Sequence, residues 1–243
     1  MAIYAIGDLH LSLNEEKPMD IFGDNWKNHE EKIKQNWIET VTENDLVLLP
    51  GDFSWKMHLK DMYEDFKYLN DLPGKKLLLK GNHDYWWGTL NKMREFIQTN
   101  KFNNIDFLYN NSYEFENKLI VGTRGWALND TENSEKMNHR EEERLKLSLE
   151  DARKKDANKE IICMMHYPPV INTYTDEGKV LTKSSNYVDI MKKFNVKMCI
   201  YGHLHGKAHE EAVEGQFEGI NFKLVSADYL NFRLSPLGTS LFG

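Results

Sequence analysis

Cysteine is scarce in this chain, with two residues, Cys163 and Cys199, in 243. Each lies in an apolar run (Ile161-Ile162-Cys163-Met164-Met165 and Val196-Lys197-Met198-Cys199-Ile200). Buried free thiols in core strands are therefore expected rather than a disulfide framework, which fits a reducing compartment. Long apolar runs are missing as well, and none approaches membrane-spanning length. Lys and Arg are scattered and the net charge is −7. An acidic surface repels a phosphate backbone, so broad nucleic-acid binding gains no support, although a local basic groove remains compatible with it. Internal repeats and low-complexity linkers are absent, so one domain over residues 1–243 is expected.

The composition is that of a globular protein, and six Trp with twelve Phe supply a sizeable core. Ala2 to Ile6 is a short apolar run, followed by a loop through Pro18 and Gly23. Trp26, Ile33, Trp37 and Val41 then form a helical stripe. Leu46 to Leu49 reads as a strand, Leu59 to Leu69 as a second helix, Leu77 to Leu79 as a strand, and Leu90 to Ile97 as a third helix. That alternation predicts a parallel sheet with right-handed crossovers. From Ile105 to Val121 the runs become short and of β type, which predicts passage into a second sheet. The charged stretch 131–160, with Leu145, Leu149 and Ala152, reads as a solvated helix. A strand at Ile161–Met165, a polar loop, a helix from Tyr187 to Phe194 and a strand at Lys197–Tyr201 follow. Phe222–Val225 and Asn231–Leu234 read as antiparallel strands.

Leu77-Leu78-Leu79-Lys80-Gly81-Asn82-His83-Asp84 is the most informative stretch. An apolar run stops at a glycine, and three polar side chains that can bind metal or move protons follow at once. Ligand sites in open α/β sheets lie beyond the carboxyl ends of strands, so these residues belong at the lip of a cleft. Four other strands end in the same chemistry: Asp8 and His10; Asp52; His166; His203 and His205. Carboxylate, imidazole and amide oxygen are ligands for borderline divalent metals. A structural zinc site wants four ligands, commonly including Cys, within a short segment. This set is spread across the chain and offers too many ligands for one ion. Two metals sharing a bridging carboxylate is the economical reading. Asp8 and His10 would be lost with any cleaved leader, so a cytoplasmic location is expected.

The order Asp-x-His, Gly-Asp, Gly-Asn-His-Asp, His, Gly-His-x-His resembles the calcineurin-like metallophosphoesterase family. The resemblance runs from Asp8 to His205 and implies a four-layer αββα sandwich, an α/β fold of two mixed sheets flanked by helices. It implies two divalent ions (Mn, Fe, Zn, Ni or Co), one held by Asp8, His10, Asp52 and His205. The second would be held by Asp52, Asn82, His166 and His203, with Asp52 bridging. His83 matches the family's non-ligand histidine at the leaving group, and Asp84 the carboxylate that orients it and raises its pKa. The implied reaction is cleavage of a small phosphomonoester or phosphodiester by a metal-bridging hydroxide, with a small phosphorylated compound as partner and no membrane.

Departures narrow the choice. Gly51-Asp52 continues as Phe53-Ser54-Trp55-Lys56 rather than Val-Asp-Arg-Gly, which argues against a protein phosphatase. Bacterial lipid-A-precursor diphosphatases carry Arg where this chain has His83. Arg124 either reaches the phosphate or is an exposed loop residue. Trp86, Trp87 and Trp126 either stack on substrate or pack, with packing expected for at least two. His29, His58 and His139 sit in charged stretches and are expected at the surface, and His209 is either a neighbour of the ligands or solvent-exposed. A nuclease and a non-catalytic metal-binding scaffold are the alternatives. The oligomeric state is open.

Overall fold

Leu46 and Leu48 face one side of their strand and Val47 and Leu49 the other, and all four are buried. A strand buried on both faces belongs in the middle of layers. The computed structural model describes residues 1–13, 19–128 and 131–238, so Pro18 lies outside them.

The first sheet contains β1 (Ile3–Ala5), β2 (Leu46–Leu49), β3 (Lys75–Leu78) and β4 (Ile105–Phe107), all parallel. The helices α1 (His29–Thr40), α2 (Tyr63–Asn70) and α3 (Leu90–Thr99) make the crossovers between them. The second sheet holds β5 (Tyr113–Phe115) and β6 (Lys118–Thr123), then α4 (Glu132–Lys155) leads to β7 (Glu160–Met165). β8 (Val170–Tyr174) and β9 (Val180–Ser184) form a separate hairpin. α5 (Asn186–Lys193), β10 (Met198–Tyr201), β11 (Gly215–Phe217) and β12 (Ile220–Leu224) complete the second sheet, and β13 (Ser235–Pro236) returns to the first. The sheet orders are β13-β1-β2-β3-β4 and β11-β12-β10-β7-β6-β5.

Three apolar clusters correspond to three interfaces between four layers. Leu46, Leu48, Leu77 and Ile3 meet Ile120, Ile162, Met164 and Ile200 between the sheets. Val47, Leu49 and Leu78 pack under Ile33, Trp37, Phe66 and Met93 of the first helices. Leu119, Val121, Cys163 and Cys199 pack under Leu145, Leu149, Tyr187 and Met191. The architecture is therefore the expected αββα sandwich, and both cysteines are free and buried. Among the described residues no helix is long and apolar enough to cross a membrane.

Four local expectations change. Ile105–Phe107 still belongs to the first sheet, parallel to β3, and passage to the second begins at β5. The polar loop after His166 contains the β8–β9 hairpin, whose Tyr174, Val180 and Leu181 are exposed and so leave no core-facing pattern to read. β12 runs parallel to β10 and antiparallel only to β11. Asn231–Leu234 is not a strand, because Asn231 and Phe232 take φ of 51° and 59° and turn the chain; pairing with β1 starts at Ser235.

Candidate metal centre

Short apolar strands that stop abruptly put every polar ending on one edge of the sandwich. The two sheets are stitched together there: Gly7 N–H donates to the Val225 carbonyl (2.7 Å) and Ala227 N–H to the Gly7 carbonyl (3.0 Å). The residues after β1, β2, β3, β7 and β10 thus converge from both sheets. Asp8, His10 and His205 each bring a ligand atom within 4.8 Å of the others, and so do Asp8, Asp52 and His166. Asn82 joins the second group, its Oδ1 lying 2.6 Å from His166 Nε2 and 3.0 Å from His203 Nδ1. All seven residues expected as ligands are therefore brought together, with Asp8 also reaching towards His166 (3.8 Å).

The backbone is bent to achieve this. Asp8, His10, Asp52 and His203 have φ of 56°, 46°, 50° and 73°, a region that non-glycine residues enter at a cost. Two glycines admit the carboxylates. A Cβ at Gly81 would lie 2.1 Å from Asp52 Oδ1, and one at Gly202 would lie 2.3 Å from Asp8 Oδ2. In their places the carboxylates accept backbone donors, His83 N–H on Asp52 (2.8 Å) and His203 N–H on Asp8 (3.1 and 3.0 Å).

Orientation of the imidazoles follows from their outer nitrogens. His166 Nδ1 donates to the Pro50 carbonyl (3.0 Å), and His205 Nδ1 donates to Asp228 Oδ1 (2.8 Å). Each ring then turns Nε2 inward, where His205 Nε2 meets His10 Nε2 at 3.4 Å. Holding the far nitrogen in this way is how proteins fix a metal-binding histidine. Burial pushes His10 and His203 down to about 3, so both rings are neutral and able to ligate.

The carboxylates show what the arrangement demands. Burial and then the charge of Asp8 push Asp52 up to about 8. Burial acts on Asp8 the same way, but the hydrogen bond and charge of His205, with His166 and His10, hold it well below the carboxylate range. Burial opposes a charge on His205, yet its contacts with Asp228 and Asp8 raise it to about 10. A proton held at His205 between two carboxylates occupies a place suited to a cation. Inward-facing acceptors, crowded carboxylates and neutral imidazoles are together a donor set that fits divalent metal.

Asp84 makes no hydrogen bond to His83 among the described residues. It is fully buried, and both its oxygens accept donors: Gly81 N–H (2.7 Å), Asp52 N–H (2.9 Å), Phe53 N–H (2.9 Å), Ser54 N–H (3.3 Å) and the Trp86 indole (3.0 Å). Burial and then Asp52 push Asp84 up to about 7, while Gly81 and Ser54 N–H pull against this. Every one of those contacts suits the ionised form. His83 Nδ1 is buried without a partner, and its ring sits against Trp55 (4.6 Å) and His10 (5.9 Å) at the mouth of the site. Burial, then the neighbouring His166 and His205, lower its pKa, opposite to the rise expected from a carboxylate partner.

Several residues enter that the sequence does not mark. A cavity of about 370 Å³ opens over the centre, walled by Met19, Trp26 and Trp55 beside His10, His83 and His205. Trp55 stacks on His10 at 4.7 Å. Asp228 lies beyond β12; reading that strand as antiparallel hides it from the rule that marks the ends of parallel strands. His209 belongs with the ligands' neighbours, with Nε2 3.2 Å from Asp228 Oδ2. Trp86 and Trp87 pack in the core. Arg124 is largely covered, its guanidinium 4.6 Å from the Trp126 ring. His29 is buried, not at the surface, with its ring nitrogens 3.2 Å from the Trp26 carbonyl and 3.1 Å from that of Leu9. His58 and His139 are exposed as expected.

The chain belongs to the calcineurin-like phosphoesterase family, whose model matches residues 1–207. No curated protein matches it. Among solved structures it is similar to the phosphopantetheinyl hydrolase of Mycobacterium tuberculosis (TM-score 0.59, 12% identity, covering 100% of this chain and 98% of that one). A protein from Thermus thermophilus aligns with TM-score 0.56 and 14% identity over 96% of each chain. A protein of unknown function from Aquifex aeolicus aligns with TM-score 0.50 and 19% identity over 97% of this chain and 95% of that one. At such identities these likenesses speak for the fold alone.

Proposed function

We propose that this protein is a single-domain phosphohydrolase that uses two divalent ions to cleave a small phosphomonoester or phosphodiester. The observation that carries this is the convergence, from five strand ends on two sheets, of two acidic side chains, one amide and four imidazoles. Asp8, His10, Asp52 and His205 would hold one ion, and Asp52, Asn82, His166 and His203 the other. Bound there, such ions activate water and neutralise charge on phosphoryl oxygens.

The protein's own part is positional. Asp84 gathers four backbone donors so that Asp52 points into the centre. Pro50 and Asp228 fix the tautomers of His166 and His205. Met19, Trp26 and Trp55 wall a cavity sized for a small molecule, and they offer the organic part of the ester an apolar surface. His83, on the rim of that cavity, meets the departing oxygen and gives it a hydrogen bond or proton.

Metal titration of stripped protein, with elemental analysis, tests the reading alongside a panel of phosphomonoesters and phosphodiesters. Two ions per chain and turnover of one ester class are expected. Saturation at one ion under conditions that fill both sites would refute the dinuclear form.

A further inference from the structure

Lys80, Arg124 and the helical pair Arg140 and Arg144 come from three separate parts of a chain of net charge −7, yet the fold gathers them around one cavity of about 350 Å³. Trp87, Tyr109 and Trp126 complete its wall. Glu141 is the carboxylate engaged with these cations, and it is already committed. It accepts from Arg144 (2.7 Å) and from the Thr123 hydroxyl (2.5 Å), while Arg124 stays 3.7 Å away. Arg124 Nε and Trp87 Nε1 are buried donors without partners. Lys80 and Arg140 have no hydrogen-bond or ion-pair partner among the described residues. Like charges crowded around unpartnered donors make a site for an anion.

Short contacts join the cavity wall to the metal centre. Tyr167 lies ring to ring with His203 at 4.1 Å and with Trp126 at 5.8 Å. The Arg124 carbonyl accepts from the N–H of His166 (3.2 Å) and of Tyr167 (2.9 Å), so backbone hydrogen bonds tie the basic wall to the ligand loop. Lys80 stands two residues before Asn82. The cations line one half-open pocket, which suits a compact anion better than a polynucleotide backbone.

We propose that this pocket binds a second phosphate-class group of the substrate, so that the substrate class is a small molecule with two anionic groups: the ester at the metal centre and a distal phosphate. This rests on the function proposed above, and binding can be measured without turnover.

The probes are α,ω-alkane bisphosphonates of graded length and the matching alkyl monophosphonates, titrated calorimetrically into metal-loaded protein. A bisphosphonate of the right length should bind about 10–100-fold more tightly than its monophosphonate, the gain expected of one or two charge-assisted contacts. That ratio should fall towards one in Arg140→Ala and in Lys80→Ala, and Arg140→Lys should keep part of it. Equal affinities at every length, or a ratio untouched by the substitutions, would overturn the proposal. So would two monophosphonates per chain with no gain from linking them, since the pocket would then hold a free anion. If linked compounds bind better but no phosphoester is turned over, the second site stands and the catalytic reading fails.

Discussion

Replacing Asp84 by Asn is the sharpest perturbation of the centre, because it changes almost no volume and reverses one hydrogen-bonding surface. Asp84 Oδ2 receives Gly81 and Asp52 N–H; Oδ1 receives Phe53 and Ser54 N–H and the Trp86 indole. An amide must set its NH2 against one of these groups. Either choice leaves two or three buried donors unsatisfied, at about 1–3 kcal/mol each. The expected loss of stability is therefore roughly 2–9 kcal/mol, much of it local to the loop that presents Asp52. Metal affinity should fall by about 10–100-fold, as when a supporting hydrogen bond is removed from a ligand.

The assay pairs denaturant unfolding with equilibrium dialysis against Mn²⁺ or Zn²⁺, with His83→Ala as the comparison. His83→Ala removes a side chain that makes no hydrogen bond to a proposed ligand, so it should keep both ions while turnover falls by roughly 10²–10⁴-fold. That loss should be larger for alkyl than for aryl phosphates. If Asp84→Asn instead kept wild-type stability and metal content and lost only turnover, behaving like His83→Ala, Asp84 would be acting on His83 and the loop-anchoring account would be wrong.

Asp52→Asn should deplete both ions at equal free metal while His205→Ala mainly weakens one; equal loss of a single ion in each would contradict a bridging Asp52. Asp228→Asn takes the charged acceptor from His205 Nδ1 and sets an NH2 against either that nitrogen or Gly206 N–H; it should weaken metal binding by about 10–100-fold and cost less stability than Asp84→Asn, as dialysis and denaturation will show. Lys76 is buried, and burial lowers it from 10.5 to about 7. Below pH 7 both states carry its proton and the penalty on the folded state is complete; between 7 and 10.5 the unfolded chain binds more protons, so this contribution to stability rises with pH. Lys76→Met should therefore be more stable at pH 6 by about 1–3 kcal/mol and should lose that advantage towards pH 10, which unfolding at several pH values measures.

What is legible in the sequence are features that repeat along the chain. Leu46–Leu49 and Leu77–Leu79 announce buried strands because both faces are covered, and the polar residue after each strand announces a ligand because parallel strands end on one edge. Asp228 carries no such mark. It follows a strand whose direction depends on a partner chosen across the sheet, and local pattern does not encode that choice. His29 misleads for a related reason: its neighbours in sequence are charged, yet the fold buries its ring against Trp26 and the backbone of Leu9. The basic pocket is hidden in the same way, its four cations lying between positions 80 and 144 with no run among them.

The role of Asp84 shows why motif spacing alone misassigns a side chain. A histidine next to an aspartate in sequence invites a paired reading, but adjacent residues on an irregular loop turn away from each other. His83 faces the cavity, and Asp84 faces the core, where backbone N–H groups of the Asp52 loop need an acceptor. Those donors are left over because Asp52 is held at a φ of 50°, outside the strand that would have paired them. The strain that aims Asp52 at the centre and the buried anion that stabilises its loop are thus two parts of one requirement. Asp84 would be needed at this position even in a homologous fold in which His83 had lost its role in the reaction.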